Sequence, residues 1–548
     1  MIRGEYKMKL VSVQQMIDLE KEANDSGLGY DQMMINAGSA LADEIQIRYG
    51  GEGRKHVLGL VGSGNNGGDT LIALGKLSEK GWTATAYLVK DRKPNDVLVS
   101  NLIDLKCDVI QVQKDISFGK LQKLIGSTDL ILDGIFGTGI KLPVRKKVVD
   151  VLQFIANIDN IPEIVAVDCP SGVDCETGEA AKETLYVDLT ICLAAVKKGL
   201  LRFPAFKYTG EITCVGIGLP ANLAGFSQLN TSVVDQRMVS KMLPPRPLDA
   251  HKGTFGKCMI VGGSTNYCGA VILSVRAAYK IGAGLVCAAI PGSIYDAVAG
   301  QVPECTWVVL PHSMGVINSS ASAILQENLE RVNAMLIGPG MGQEKETLDF
   351  IKDLLIFKEI RSGKSSIGFS QQTHIEKSIQ TFTQPSFVLD ADALKLISQI
   401  EKWYQLFDKK AVLTPHPGEM AILTGLSIEE IQKNREMVAR EFAEKWGHVV
   451  VLKGAITIVA APDGHIFFIP FATPALASAG TGDVLAGMIT GLIAQGSTAV
   501  EAAVIGSWLH AQAGSAAEVY YGQNYSVTAG DVITQIPLVL NKKTSPLK

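Results

Sequence analysis

The chain runs to 548 residues, 47% hydrophobic and 19% charged, with a formal net charge of −4 at pH 7. That length exceeds what one ordinary hydrophobic core serves, so two or more domains are expected, and the apolar content excludes a disordered chain. The slightly acidic balance speaks against a nucleic-acid or anionic-membrane partner, and no apolar run is long and unbroken enough to cross a bilayer.

Taken in chain order, MIRGEYKMKL lacks the apolar core of a signal peptide, so a cytoplasmic protein is expected. Residues 12–26 read as a helix, and 30–49 as a second, with Met33, Met34, Ala37, Leu41 and Ile45 at helical spacing. Apolar β-type runs at 56–61, 83–89, 129–132, 164–167, 189–194 and 212–217 then alternate with helical stretches. That alternation predicts a mostly parallel sheet covered on both faces, a Rossmann-like three-layer α/β/α sandwich. A boundary lies within 218–251, where Pro244-Pro245-Arg246-Pro247 reads as a linker. The expected domains are residues 1–230 and 231–548.

The second domain is again α/β/α. Its strands are expected at 258–261, 285–290, 307–310, 334–337, 387–389, 412–413 and 449–452. A hairpin of 456–460 and 466–469 turns at Pro462-Asp463-Gly464. Apolar helices follow at 482–494 and 499–517, and the polar stretch at 358–384 reads as a surface insertion. The nine cysteines, without C-x-x-C spacing, read as small buried hydrophobes in a reducing compartment.

Polar, glycine-rich loops fall at the carboxyl ends of strands, where such sheets bind ligands. The run at 56–61 leads into Gly62-Ser63-Gly64-Asn65-Asn66-Gly67-Gly68-Asp69. This contains G-x-G-x-x-G, and Asp91 follows the next strand, so a dinucleotide-binding turn is one reading. Asn65, Asn66 and Asp69 suit it poorly, because a carboxylate there repels pyrophosphate; gathered amide and carboxylate oxygens suit a cation or a sugar hydroxyl. Two more oxygen-rich loops converge on the same edge: Asp133-Gly134-Ile135-Phe136-Gly137-Thr138-Gly139, running on to Pro143, and Asp168-Cys169-Pro170-Ser171-Gly172-Val173.

With Asn36-Ala37-Gly38, these segments resemble the motifs of NAD(P)H-hydrate epimerases over residues 10–225. The resemblance implies that Asn66, Asp133 and Ser171 help hold a potassium ion. It also implies that Asn65, Asn66, Gly67, Gly68 and Asp69, with Gly137, Thr138, Gly139 and Asp168, contact the hydrated cofactor. Thr70 departs from the pattern, where glycine is common. The hydrated cofactor carries a hydroxyl on a carbon beside the ring nitrogen. Inverting that centre requires the C–O or C–N bond to loosen and reform, and Asp168 is the expected acid/base.

In the second half, Ala479-Gly480-Thr481-Gly482-Asp483 opens an apolar helix. Glycines admit a close ligand, the helix N-terminus supplies N–H groups for a phosphoryl group in transit, and Asp483 can take a proton from a hydroxyl. The motif resembles the ribokinase-like small-molecule kinases. Further segments narrow the likeness: His251–Lys257, Ile337-Gly338-Pro339-Gly340-Met341-Gly342, Leu389-Asp390-Ala391-Asp392-Ala393, Thr414-Pro415-His416-Pro417-Gly418-Glu419 and Leu452-Lys453-Gly454-Ala455-Ile456-Thr457. Together they resemble the NAD(P)H-hydrate dehydratases over residues 240–540, with Ala479 where glycine is more usual.

By that resemblance Asp483 is the base. Gly480, Thr481 and Gly482 hold the phosphoryl group, and Lys453, Gly454, Ala455, Ile456 and Thr457, with the loop 473–481 including Ala479, bind the nucleotide. Gly340, Asp392, His416, Pro417, Gly418 and Glu419 line the substrate side. ADP is expected as phosphoryl donor over ATP, with magnesium to neutralise the polyphosphate, and the protein is expected to form a homo-oligomer. The substrates implied are NADHX and NADPHX, whose R and S forms the first half interconverts and whose S form the second half dehydrates.

Other motifs carry less. Gly363-Lys364-Ser365 lacks the leading glycine of a phosphate-binding loop, since position 358 is Lys358. His416 beside Glu419 has no third metal ligand at useful spacing, and His510 reads as a packed histidine. Two alternatives stay open: a ribokinase-like vitamin or sugar kinase that releases a phosphorylated product, or a first half that only binds ligand.

Overall fold

In the computed structural model, residues 8–51, 53, 55–220, 222–356 and 384–544 are described. The chain divides into two compact units, residues 1–235 and 236–548. Both are α/β, as the alternation of strand and helix predicts.

The first unit is built on a seven-stranded parallel sheet in the order Asp108–Gln111, Thr83–Leu88, His56–Val61, Leu130–Gly134, Glu163–Val167, Leu189–Leu193, Glu211–Val215. Leu130–Gly134 is buried along its whole length, which requires cover on both faces. One face packs Leu41, Ile45, Leu71 and Leu74 from the helices Tyr30–Tyr49 and Asn65–Glu79. The other packs Leu121, Val151, Leu152 and Ile155 from Gly119–Ile125 and Lys146–Ala156. Each such side chain contributes roughly 1.5–3 kcal/mol by leaving water.

The strand order reverses at His56–Val61. Thr83–Leu88 lies on one side of it and Leu130–Gly134 on the other, so the loops after His56–Val61 and Leu130–Gly134 diverge and leave a crevice for a ligand. Four described strands of this unit escape the sequence reading: Met8–Val11, Asp108–Gln111, Val196–Lys197 and Thr231–Val233. Asp108–Gln111 is a half-exposed edge strand with polar ends. Met8–Val11 pairs antiparallel with Thr231–Val233 and parallel with Val196–Lys197, which fixes the backbone at Lys197.

In the second unit the parallel strands run in the order Thr306–Leu310, Leu285–Pro291, Lys257–Val261, Ala334–Ile337, Ser386–Leu389, Val412–Leu413, Val449–Leu452. The hairpin Ile458–Ala460 and Ile466–Phe468 continues them antiparallel. The helix Thr481–Ala494 is apolar all round because it is buried nearly all round. Its glycines serve packing: a Cβ on Gly487 would stand 2.3 Å from the Ser274 carbonyl oxygen of the helix Cys268–Lys280.

The proline run read as a linker is instead anchored within the second unit. Arg246 stacks on Phe255 at 3.7 Å and donates to Gln495 Oε1 at 2.8 Å. The surface insertion read at 358–384, with Gly363-Lys364-Ser365, lies outside the described residues up to 383. The nine thiols are free, and most are buried. Among the described residues no helix is long and apolar enough to cross a membrane.

Candidate active sites

The crevice of the first unit opens into a cleft of about 780 Å³. Asn65, Asn66 and Asp69 reach it from the first turns of the helix Asn65–Glu79; Gly137, Thr138 and Gly139 reach it from the loop after Leu130–Gly134, and Asp168 from the loop after Glu163–Val167. Gly67 and Gly68, expected to contact substrate, are buried under the helix they begin. A Cβ on Gly67 would stand 2.2 Å from the Gly62 carbonyl, and one on Gly68 would stand 2.8 Å from Met34 Sδ. Their small size lets the loop fold and the helices Tyr30–Tyr49 and Asn65–Glu79 meet.

Asp133 and Ser171 sit behind the cleft wall. Ser171 N–H donates to Asp133 Oδ2 at 2.7 Å, Phe136 N–H donates to Ser171 Oγ at 3.0 Å, and Asn66 Nδ2 donates to the Phe136 carbonyl at 2.6 Å. All three expected cation ligands thus close on one turn. Asp133 is wholly buried, and burial raises its carboxyl pKa despite the donors from Ser171 and Ile135. Among the described residues no three His, Cys, Asp or Glu side chains cluster as a metal site. A carboxylate, an amide oxygen and a hydroxyl are nonetheless the hard-oxygen set that suits a potassium ion, and a wholly buried carboxylate gains from one.

Asp168 lies in the left-handed region at φ 65°, an uncommon conformation for a residue with a Cβ. Its Oδ1 accepts from Leu193 N–H at 2.9 Å and pairs with the Lys197 ammonium, which also donates to the Leu193 carbonyl at 3.0 Å. Burial alone would lower the Lys197 pKa, but Asp168 and Cys192 outweigh it and hold it raised. Glu20, from the helix Val13–Asp25, completes the group. Burial pushes Asp69 up to about 8, reinforced by Asp168 and Glu20 and opposed by Lys197. Arg92 props the loop from outside, donating to the carbonyls of Gly62 at 2.8 Å and Gly64 at 3.2 Å.

In the second unit, the helix Thr481–Ala494 starts from Gly480 in the left-handed region at φ 88°, without a side-chain cap. A Cβ there would press within 2.5 Å of Leu273 Cδ1. Thr481 N–H donates to the Ser478 carbonyl at 3.4 Å, and with no side chain capping the helix, its following first-turn amides face the loop end where an anion is stabilised. Thr481 Oγ1 is already committed to the carbonyls of Leu476 at 2.8 Å and Ser478 at 2.9 Å, tying the preceding loop to the helix.

Lys453 Nζ lies 2.8 Å from Asp390 Oδ1 and 3.7 Å from Glu419 Oε2, and 3.5 Å from where a Cβ on Gly482 would stand. Its charge thus sits at the helix start, beside the expected phosphoryl position. Burial would lower its pKa, but Asp390, Glu419 and Asp483 together raise it. Asp483 is pushed up to about 7 by burial and then by Asp390, with Lys453 opposing.

His416 caps the helix Pro417–Thr424. Its Nδ1 accepts from the N–H groups of Gly418 at 3.0 Å and Glu419 at 3.3 Å, so that nitrogen carries no proton. Burial and Lys453 lower its pKa, in keeping with a neutral ring. Asp392 accepts from Gly342 N–H at 3.1 Å and Gln343 Nε2 at 2.8 Å, which pins the loop that holds Gly340. Gly340, at φ 59°, has the Tyr267 carbonyl 2.6 Å from where its Cβ would be. Gly454 and Ala455 are exposed, Ile456 is buried, and Thr457 Oγ1 donates to the Gly454 carbonyl at 3.4 Å. His510 is buried as expected, its pKa driven down to about 4 by burial.

Several residues of these sites escape the sequence reading. Lys197 follows a strand in Val196-Lys197-Lys198, where a lysine pair looks like a solvated strand end. Asp390 stands inside a quoted motif, and Thr414 Oγ1 and Lys453 both bond its Oδ1. Arg435 has no local signal; from the helix Arg435–Trp446 it donates to the carbonyls of Leu452, Lys453 and Ile456 at 3.0, 3.3 and 3.1 Å, shaping the loop expected to hold nucleotide.

A family model described as NAD(P)H-hydrate dehydratase matches residues 258–538, and one described as YjeF-related protein N-terminus matches residues 30–199. A bifunctional NAD(P)H-hydrate repair enzyme of Moorella thermoacetica is 33% identical over 522 residues, 93% of this chain and 92% of its own. Another, of Dictyoglomus turgidum, is 30% identical over 548 residues, 98% of this chain and 99% of its own. Among solved structures, a ribokinase-like superfamily protein of Enterococcus faecalis is 25% identical at a TM-score of 0.47, covering 58% of this chain and 98% of its own.

Proposed function

The chain belongs to the bifunctional NAD(P)H-hydrate repair enzymes, an epimerase joined to a dehydratase, and we propose how its two sites divide the work. The first cleft inverts the carbinol carbon of hydrated NADH and NADPH, with Asp168 moving the proton. Asn65, Asp69 and the Gly137–Gly139 turn hold the substrate, while Gly67 and Gly68 set the loop that presents them. Asn66, Asp133 and Ser171 would hold a potassium ion. Bound there, it would supply a fixed positive charge behind the Phe136 turn.

The second site dehydrates the S form with a nucleotide. Hydroxide leaves poorly, so the hydroxyl is first phosphorylated. Asp483 takes the hydroxyl proton, and the oxygen attacks the terminal phosphoryl group of ADP or ATP, with ADP the expected donor. The amides from Gly480 to Gly482 and the Lys453 ammonium receive the transferring group. The ring-nitrogen lone pair then expels phosphate, and loss of a proton from the adjacent carbon restores the dihydropyridine. Magnesium would neutralise the polyphosphate. Lys453, beside the helix start at Gly482, supports a role for its charge toward the phosphoryl group as well as the nucleotide, while Gly454 to Thr457 and the loop 473–479 would flank the nucleotide. His416 to Glu419, Asp392 and Gly340 shape the substrate side. Assembly as a homo-oligomer and a cytoplasmic location complete the reading.

One observation carries it: a helix start with glycine and no side-chain cap, a half-buried lysine and a carboxyl raised to about 7 meet at one point. The test is turnover of mixed-epimer NADHX with ADP or ATP and magnesium, followed by near-UV absorbance and chiral separation. Complete NADH recovery is expected. Recovery that halts at one epimer would remove the epimerase role, and a stable phosphorylated product would make the second unit a kinase.

A further inference from the structure

Glu20, Asp69, Asp168 and Lys197 all line the cleft of the first unit. Three carboxyl groups therefore share one ammonium. Asp168 takes it, together with Leu193 N–H. Asp69 is buried, and its carboxyl has no hydrogen-bond donor or ion-pair partner among the described residues. A desolvated carboxyl without a donor, among like charges, is favoured in its protonated form. Its position is rigid. It lies in the helix Asn65–Glu79 just after the tightly packed Gly67 and Gly68, and its own carbonyl would stand 2.8 Å from a Cβ on Gly38.

We infer that Asp69 is a second catalytic residue of the epimerase cleft, forming with Asp168 an acid/base pair that holds one proton between them. This rests on the epimerase reading of the cleft. Asp69 gives its proton to the substrate hydroxyl. The C–O bond breaks, its electron pair stays with oxygen, and water departs. The ring-nitrogen lone pair forms the C=N bond of a cyclic cation, and Asp69 is left as a carboxylate. Water then adds to the other face, the C=N pair returns to nitrogen, and the proton released from that water passes to the Asp168 carboxylate. One proton resides on the pair before and after, so the same site runs the inversion in both directions, as an epimerase must. The pull of environments that sets one carboxyl as donor and its neighbour as acceptor is the usual route to paired acid and base roles.

The groups that face Asp69 are Glu20 from the helix Val13–Asp25, Asp168 from the loop after Glu163–Val167, and Lys197, behind which lie Cys192 and Cys175. Burial and the two acids push Asp69 up to about 8, so it holds its proton at neutral pH.

The experiment uses the full chain without nucleotide, so that the second unit is silent. Purified R epimer is incubated in ¹⁸O-enriched water, and inversion and label uptake are read together by chiral chromatography and mass spectrometry. One ¹⁸O per inversion is expected; inversion without label would place the break at C–N and overturn the proposal with no variant needed. Asp69→Asn is expected to lower the epimerisation kcat by roughly 10²–10⁴-fold with KM within a few fold, and to abolish the loss of rate above about pH 8. Wild-type kcat in Asp69→Asn, with inversion intact, would also overturn it. No inversion by the wild-type chain, while S epimer is still dehydrated when nucleotide is added, would instead remove the epimerase reading beneath it.

Discussion

The two units solve one electrostatic problem in parallel and finish at opposite ends. In the first, Glu20, Asp69 and Asp168 gather about the buried Lys197. In the second, Asp390, Glu419 and Asp483 gather about Lys453. In each, the lysine engages one carboxylate closely, Asp168 or Asp390. In each, a different carboxyl early in a glycine-led helix is left to rise, Asp69 to about 8 and Asp483 to about 7. Asp69 is the more deeply desolvated of the two, and it keeps its proton at neutral pH. Asp483, pushed up less far and opposed by Lys453, gives up its proton more readily and is the one placed to accept a proton. The same arrangement thus yields a proton donor or a proton acceptor according to how much water and how much lysine the rising carboxyl meets.

The largest expected effect tests whether the sites work separately. Asp483→Asn is expected to lower dehydration of the S epimer by roughly 10²–10⁴-fold, the usual weight of a general base. Epimerisation of R should be untouched, as chiral separation would show. A parallel loss of both activities would break the comparison at its root.

Next come the lysines. Lys453→Met leaves Asp390, Glu419 and Asp483 facing one another without a cation. Breaking a buried pair from one side costs about 3–5 kcal/mol. Lys197→Met should do the same to the first unit, so denaturant unfolding of the two variants should each show one unit weakened. Adding Asp390→Asn to Lys453→Met should restore part of the loss, because it removes the carboxylate left most exposed to like charge.

The pH limbs should then run in opposite directions. With Asp483 as the proposed base, dehydration at substrate well below KM should climb through about pH 7 and be lost on the acid side. Epimerisation requires Asp69 protonated, so its rate should hold at neutral pH and fall as pH rises through about 8. Two limbs of the same sign would show that the carboxyls do not play contrasting roles.

How much of this was legible follows from what each element needs. The central strands were readable because burial on both faces demands unbroken apolar runs, as at His56–Val61 and Ala334–Ile337. The edge strand Asp108–Gln111 and the short Met8–Val11 need no such run and gave no such signal. The glycine-led start of Thr481–Ala494 was readable because an anion site and a left-handed cap both require glycine. At Gly67 and Gly68 packing alone accounts for glycine, since a Cβ would meet Gly62 and Met34. Lys197, Asp390 and Arg435 stayed hidden because their meaning lies in partners remote in sequence: Asp168 lies 29 residues from Lys197, and Lys453 lies 63 from Asp390.

The smallest expected effect sharpens the contrast at the rim of the first cleft. Its acids lie together, whereas Lys90, Lys141 and Arg145 line another part, with Lys90 Nζ 4.0 Å from the Phe136 ring centroid. Burial lowers the Lys90 pKa, and the neighbouring Arg145 charge lowers it further. A ligand that is polyanionic at one end and a neutral ring at the other fits such a polarised cleft in one orientation only. The ring must lie toward Asp69 and Asp168, and the phosphates toward Lys90 and Arg145. Lys90→Ala is therefore expected to raise the epimerase KM by roughly twofold to fivefold with kcat unchanged, the ~0.5–1 kcal/mol of a solvent-screened charge. The rise should be larger for NADPHX than for NADHX and should shrink as salt is added, because the extra phosphate is felt through the same screened field. An equal change in both substrates at every ionic strength would mean that Lys90 supports Phe136 and does not bind phosphate.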